Sequence, residues 1–299
     1  MSVHGAKTKH RMGDPRRGKP AWLRVAPRTG DEYFRLRALM RDEGLNTICT
    51  EGRCPNTSEC WNQGTATFMI LGDQCTRRCT FCNVGYGWSG TVDADEPERL
   101  ARAIGRLGLS HVVITSVDRD DLPDGGAGLF VESVRQIRST SPDCGIELLI
   151  PDFAGKEGAL ERVLGSRPDV LAHNLETVPR LYAGVRPRSQ YARSLDLLRR
   201  VAASSEVALS KTGIMVGLGE THDELVHLMA EVAAAGVDIF TVGQYLQPSV
   251  KHHRVERFYA PGEFEALADR GRALGLVWVE AGPLVRSSYH AANQTQALG

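Results

Sequence analysis

The sequence carries no net charge: 36 Lys and Arg balance 36 Asp and Glu over 299 residues. That removes the electrostatic case for nucleic acid as the main partner. No apolar run approaches the roughly 20 residues a membrane span needs, and no secretory h-region follows the N-terminus. Residues 1–18 instead hold Lys7, Lys9, Arg11, Arg16 and Arg17 against Asp14, and read as a disordered basic tail. Without a signal, the chain is expected in a reducing, cytoplasmic compartment. Clustered cysteines there more often bind metal or do chemistry than form disulfides. There is no low-complexity segment and no repeat beyond an alternation of strand and helix patterns. At 42% hydrophobic and 24% charged, the composition suits a soluble globular protein with one large core or two modest ones.

Cysteine is scarce and unevenly spread. Seven is an odd number, which counts against a disulfide framework. Six of the seven fall within residues 49–82, where an even spread would put fewer than one. They form two triplets, Cys49-x4-Cys54-x5-Cys60 and Cys75-x3-Cys79-x2-Cys82. Each offers three soft thiolates to one centre and stops one short of four. Cys144, in a PDCG turn, reads as a small buried or loop residue.

Periodicity places the triplets. A helix is predicted near 32–44, with Leu36, Leu39 and Met40 on one face and Gly44 as the stop. The first triplet follows in a segment rich in Gly, Pro, Asn and Thr, which predicts a loop. Apolar strands are then predicted at 65–71, 111–117, 145–151, 169–176, 207–217 and 239–246. Helices are predicted at 97–107, 129–138, 157–164, 192–203, 223–235 and 262–274, and a short apolar run at 277–283. Six βα units with almost wholly apolar strands predict a parallel sheet covered by helices. Right-handed crossovers wind such units into a barrel or a doubly wound sheet, and the pattern alone leaves both open. In either, reactive groups collect at the carboxyl ends of the strands. The second triplet sits there, just past the first strand. Polar residues mark other strand ends: Asp118–Asp121, Asn174–Glu176, Gly217–Glu220 and Gln244–Gln247. A domain boundary is expected near 62–65.

Three thiolates in a tight loop can hold zinc or a 4Fe–4S cluster. Structural zinc sites take four ligands, usually from two CxxC-like pairs, and no His lies within ten residues of this loop. A four-iron cluster on three cysteines leaves one iron open to a small molecule. The CxxxCxxC spacing after a first strand, with Phe81 before the last cysteine, resembles the radical S-adenosylmethionine superfamily. The resemblance implies that the open iron binds the amino and carboxylate groups of S-adenosylmethionine. Breaking a sulfonium bond homolytically needs a very low-potential electron. Iron–sulfur clusters reach about −700 mV, whereas zinc has no redox chemistry. Gly213–Glu220, GIMVGLGE, resembles the superfamily's adenine-flanking motif, with Met215 where Ile is usual. Asn174 and Glu176 stand where the superfamily holds the ribose, though a turn or cap role would account for them as well. Gly125-Gly126 is accounted for by a turn.

The first triplet, with KPAWLR before it and ECW and GTATFMILGDQCTR around and after it, is more specific. TSVDRDDLPDGGA (115–127), LLIPDF (148–153), HNLETVPRLY (173–182), GQYLQP (243–248) and GPLVRSSYH (282–290) add to it. Together these resemble the lipoyl synthase family from about Lys19 to His290. The resemblance implies a partial (β/α)6 TIM-type barrel over residues 65–282. It also implies an N-terminal extension (19–64) and a C-terminal segment (283–299) that carry an auxiliary cluster. Cys75, Cys79 and Cys82 would hold the radical-generating 4Fe–4S cluster. Cys49, Cys54, Cys60 and a serine of the RSSY motif, Ser288 in preference to Ser287, would hold the auxiliary one. A hard serine oxygen is an odd partner for soft thiolates, and suits a cluster meant to be taken apart. The family's activity is sulfur insertion at carbons 6 and 8 of a protein-bound octanoyl-lysine. The auxiliary cluster gives the sulfur, and two S-adenosylmethionine molecules give methionine and 5′-deoxyadenosine. Implied partners are a carrier domain, as in 2-oxoacid dehydrogenase E2 or the glycine cleavage H protein, and a low-potential donor such as ferredoxin or flavodoxin.

Two departures bear on efficiency: CTEG at 49–52, where the family has a CEEA-like run, and Ala172, where it has Asn. His252, His253 and Arg254 could face an acidic carrier, although a solvated loop accounts for them too. Two other readings remain: a different sulfur-inserting radical enzyme, biotin-synthase-like or a diverged paralogue, and a zinc-binding interaction module with Glu51 or Glu59 closing the first triplet. Two clusters require about eight irons per chain after anaerobic reconstitution, measured by metal analysis. Stoichiometric zinc without iron would eliminate the cluster readings.

Overall fold

The computed structural model describes residues 18–25, 30–62, 66–88 and 90–298. Most of the expected basic tail and the boundary residues 63–65 lie outside them. Helix α1 (Asp31–Asp42) buries Leu36, Leu39 and Met40 and ends at Gly44, whose φ of +61° lets the Leu45 amide return to the Met40 carbonyl at 2.9 Å. Strand β1 (Asn46–Thr47) leads into α2 (Ile48–Glu51) and α3 (Thr57–Asn62). Strands β2 (Thr67–Ile70), β3 (Gln74–Cys75) and β4 (Gly85–Tyr86) follow. The alternation then runs α4 (Glu96–Leu107), β5 (His111–Ser116), α5 (Ala127–Thr140), β6 (Gly145–Leu149), α6 (Ala159–Leu164) and β7 (Val170–Ala172). It continues through α7 (Tyr182–Val185), α8 (Tyr191–Ala202), β8 (Leu209–Val216), α9 (His222–Ala234), β9 (Ile239–Gln244), α10 (Pro261–Ala273), β10 (Trp278–Gly282) and α11 (Ala291–Leu298).

One eight-stranded sheet runs in the order β1-β2-β5-β6-β7-β8-β9-β10, while β3 and β4 form a separate parallel pair. β1 is antiparallel to β2; every other pair in the large sheet is parallel. Among the described residues no pairing joins β10 to β1 or β2, so the barrel is open. The strands are apolar because helices cover them: Val112, Val113, Ile114, Ile146, Leu148, Val170 and Leu171 are fully buried. Each such side chain contributes about 1.5–3 kcal/mol relative to exposure.

The helices follow their local signals. α4 carries Pro97 in its first turn and stops at Gly108, in the left-handed region at φ +63°. It turns Leu100, Ala101 and Ile104 into the core. α9 begins with a reciprocal capping box between Thr221 and Glu224.

Three expectations need correction. The run 277–283 is a seventh parallel strand, β10, pairing Trp278–Gly282 with Ile239–Gly243. All five residues are half-buried, so this edge strand lacks the continuous apolar run that marks its neighbours. The segment of the first triplet is not a plain loop. Cys49 lies on α2, whose start is capped by the Thr47 hydroxyl accepting from the Thr50 amide, and Cys60 lies on α3. Thr57 then donates its hydroxyl to the Cys49 and Cys54 carbonyls. The strand expected at 169–176 stops at Ala172, because the backbone turns and Glu176 takes φ +65°.

One buried ion pair interrupts the apolar strands. Lys211 of β8 sits 3.0 Å from both carboxylate oxygens of Glu147 on β6, each residue almost wholly buried. Removing one partner of such a pair strands a charge, at a cost of about 3–5 kcal/mol. Lys211→Met should lower the thermal unfolding midpoint clearly. The double variant Lys211→Met/Glu147→Leu should recover most of the loss.

Candidate active site

Two loops and the C-terminal segment converge at the carboxyl end of the sheet around a cavity of ≈ 340 Å³. Cys75, Cys79 and Cys82 line it from the loop after β2. Cys49 and Cys54 line it from α2 and the turn beyond, and Ser287 and Ser288 from the segment after β10. Cys60 lies behind this wall, within electrostatic reach of Cys49 and Cys54. Cys75, Cys79 and Cys82 lie within electrostatic reach of one another, as do Cys49, Cys54 and Cys60, though among the described residues no three His, Cys, Asp or Glu side chains stand close enough to hold a single metal ion. All seven cysteines are free thiols, and Cys144 is buried away from the cavity.

The second triplet is held by a buried cation. Arg77, 3% exposed, lies between Cys75 and Cys79 in sequence. Its Nε and Nη2 donate to Asp120 at 2.8 Å each, Nη2 also reaches Asp152 at 2.5 Å, and Nη1 lies 3.3 Å from Asp118. Burial alone would push the Asp152 carboxyl up, but the Arg77 hydrogen bond and charge outweigh it and hold it at about 2. Burial raises Asp118, only partly opposed by Arg77 and Arg186. The loop backbone is tied in as well, through the Thr76 amide to the Asp118 carbonyl at 3.0 Å and the Thr80 amide to the Val185 carbonyl at 2.9 Å.

The histidines of residues 252–254 have structural duties. His252 Nε2 lies 3.0 Å from the Cys82 carbonyl and its Nδ1 2.8 Å from the Ser249 hydroxyl. His253 Nε2 lies 3.0 Å from the Leu218 carbonyl, and its amide donates to the Thr80 carbonyl at 2.8 Å. Arg254 pairs with Glu256. This loop therefore clamps the second triplet.

The first triplet is tied to the far end of the chain. Asn56 donates to the Leu284 carbonyl at 2.7 Å, and the Tyr289 hydroxyl to Glu59 at 3.3 Å. Gly243 permits this approach, since a Cβ there would collide with the Val285 carbonyl. Asn83 bridges the two cysteine loops by donating to the Glu51 carbonyl at 2.8 Å.

Asn174 and Glu176 line the same cavity, Glu176 within electrostatic reach of Cys79 and Cys82. Asn174 Nδ2 donates to Glu176 Oε1 at 3.1 Å, and burial raises the Glu176 carboxyl against the opposing charge of Arg186. Gly213 keeps space open beside them, because a Cβ there would collide with Thr241 and crowd Asn174. Of the adenine-motif residues, Gly213, Ile214 and Met215 line the cavity. Gly217 and Leu218 do not; their amides bond Glu220, which shapes the turn. Ala172 is buried in β7 and does not line the cavity.

The residues present fit iron–sulfur clusters and a small polar ligand. The donor set is thiol-rich. Asn174 Oδ1, Ser116 Oγ and Arg186 Nε, on three cavity-lining residues, are buried without partners. Burial pushes the thiols of Cys75, Cys79 and Cys82 up to about 12, so a cationic centre is what would make them thiolates. Sequence reasoning had not singled out Arg77, Arg186 or Arg286 as site residues. The first is visible in retrospect inside CTRRC and the last inside RSSY; Arg186 carries no local signal.

The chain matches the family model of the radical SAM superfamily over residues 69–232. It is 54% identical over 277 residues to a lipoyl synthase of Symbiobacterium thermophilum, covering 93% of this chain and 87% of that protein. It is 49% identical over 281 residues to a lipoyl synthase of Rubrobacter xylanophilus, with 94% and 88% covered. Streptococcus suis SuiB bound to S-adenosylmethionine shares the fold at TM-score 0.57 and 12% identity, over 77% of this chain and 55% of that one. Methylornithine synthase (PylB) does so at TM-score 0.53 and 15% identity, over 83% and 81%.

Arg77→Lys keeps the charge and loses the planar fork. Iron content after reconstitution should fall from about eight to about four per chain, with the first triplet still loaded. Full iron retention would show that the carboxylate bracket does not hold the loop.

Proposed function

The chain belongs to the lipoyl synthase family of the radical SAM superfamily, and from that premise we propose how its own residues divide the work. The enzyme is a sulfurtransferase that inserts sulfur at carbons 6 and 8 of an octanoyl-lysine on a carrier protein, using S-adenosylmethionine and two 4Fe–4S clusters. The observation that carries the division is that five of the six triplet cysteines, with Ser287 and Ser288, line one cavity.

Cys75, Cys79 and Cys82 hold the cluster that supplies radical chemistry with S-adenosylmethionine. Cys49, Cys54, Cys60 and Ser288 hold the cluster that supplies sulfur. Asn174 and Glu176 bind the polar part of S-adenosylmethionine: the unpartnered Asn174 Oδ1 is an acceptor waiting for a donor, and Glu176 can take a hydroxyl. Met215 and Ile214 give the apolar contact beside them. The octanoyl chain lies against the apolar lining, which includes Met69, Val117, Leu149 and Leu246. Such a wall keeps water from a carbon-centred radical. Arg77 and the histidine loop act at a distance by fixing where the second triplet stands.

The carrier is of the 2-oxoacid dehydrogenase E2 or glycine cleavage H-protein type, and ferredoxin or flavodoxin supplies electrons. Seven free thiols suit a cytoplasmic, reducing setting.

The test is anaerobic turnover of an octanoylated carrier peptide, followed by mass spectrometry. The peptide should gain two sulfurs. Ser288→Ala should keep 5′-deoxyadenosine formation and lose most sulfur transfer; equal loss of both would remove Ser288 from the ligand set. Cys79→Ala should abolish 5′-deoxyadenosine, and retention would refute the role of the second triplet. Deoxyadenosine without thiolation by the unsubstituted chain would point to a different substrate.

A further inference from the structure

The cavity's charged lining sorts by depth. Asp118, Glu176, Arg77, Arg186 and Arg286 are buried or half-buried; the exposed charged lining residues, Arg53 and Arg78, are both cationic. Glu51 and Asp73, the nearest acids in the same loops, do not line the cavity. Among the described residues neither arginine has an ion-pair partner, although Arg78 lies over the Tyr86 ring at 5.7 Å. Lys251, likewise exposed and without an ion pair among the described residues, sits on the loop that His252 pins to Cys82. Exposed apolar side chains lie close to them in sequence: Tyr86 at 54%, Trp88 at 76%, whose indole bonds Asp121, and Val250 at 95%. Tyr86 lines the cavity, as do Leu246 and Pro248 on the approach to Val250.

In a chain of zero net charge, a rim of unpaired cations interleaved with exposed aromatics is a recognition surface, since aromatics and Arg are what interface centres are built from. The substrate is a side chain on a folded protein, so the mouth that admits it must also accept the protein around it. We propose that Arg53, Arg78 and Lys251, with Tyr86, Trp88 and Val250, form the docking surface for the carrier domain. They select a domain with acidic residues around its octanoyl-lysine. This rests on the lipoyl synthase reading and names the protein surface that reading requires. Docking here aims the octanoyl chain between the two triplets and leaves the chemistry to residues deeper in.

The test uses the reconstituted enzyme and two substrates: an intact octanoylated carrier domain with an acidic surface, and a short octanoyl-lysine peptide without acids. Lys251→Glu, Trp88→Ala and their combination are compared with the unsubstituted chain, with iron content confirming that both clusters load. The double variant should raise KM for the domain roughly 10-fold with kcat nearly unchanged, and leave the peptide within about twofold. Raising salt from low to physiological strength should weaken domain binding by the unsubstituted chain more than by Lys251→Glu. A domain KM unchanged in the double variant, or equal losses on domain and peptide, would overturn the proposal. Failure of the enzymatic reading looks different, because the unsubstituted chain would then thiolate neither substrate.

Discussion

The contact on which the site depends is the bracket of Asp118, Asp120 and Asp152 around Arg77. A guanidinium this deep is costly to desolvate, and three carboxylates offset the cost only if each sits at its hydrogen-bonding position. Those carboxylates come from the segments after β5 and β6. The cysteine loop is therefore fixed to two neighbouring strand ends by one side chain. Lys could supply the charge but not the fork. The Thr76 and Thr80 backbone bonds and the His252 and His253 contacts then fix the remaining freedom of the loop.

The first triplet meets a different constraint. It begins on the short helix α2, which β1 anchors to the edge of the sheet by pairing with β2, and its later part lies beyond the sheet. The chain solves this by returning from β10, the far edge strand, across the open side of the barrel. Asn56 on Leu284 and Tyr289 on Glu59 join segments more than 220 residues apart. Gly243 is the permissive element, because only a residue without a side chain lets the Val285 carbonyl approach β9. Ser287 and Ser288 reach the cavity as a consequence. Helix α11 continues from there to pack against β5, so the C-terminal segment is anchored to the sheet as well as to the first triplet.

The alternation of strands and helices was legible because it rests on local physics: apolar runs, proline in the first turn, glycine at the stop. The cysteine triplets were legible because thiols gathered at short, fixed spacing in a reducing setting do little except bind a metal centre. What sequence could not carry was pairing over distance. Nothing near VRPRS says that Arg186 will donate to the Asn174 carbonyl at 2.9 Å and line the cavity within electrostatic reach of Cys79. Nothing in KHHRVE says that the His252 ring will meet the Cys82 carbonyl and the His253 ring the Leu218 carbonyl. β10 was missed because an edge strand needs only one buried face, and its half-exposed residues blur the apolar signal. The short helices of the first triplet were missed because Gly, Pro and Asn dominate their surroundings, while the cap at the start of α2 is one threonine hydroxyl.

Five of the six triplet cysteines line one cavity, an arrangement that suits the proposed division between two clusters. A carbon radical must meet its sulfur donor before it meets water or another hydrogen source, so the distance between the centres matters as much as their presence. Placing the triplets on separate loops gives each its own supports: Arg77 for one, Asn56 and Tyr289 for the other. The Asn83 bond to the Glu51 carbonyl links the two sets. Separate supports suit a reaction in which one cluster persists while the other is consumed. The division also gives a physical role to the serine. A fourth cysteine would bind the auxiliary centre with the same softness as the other three. In the proposed ligand set, the hard hydroxyl of Ser288 would hold the fourth position less firmly than a thiolate.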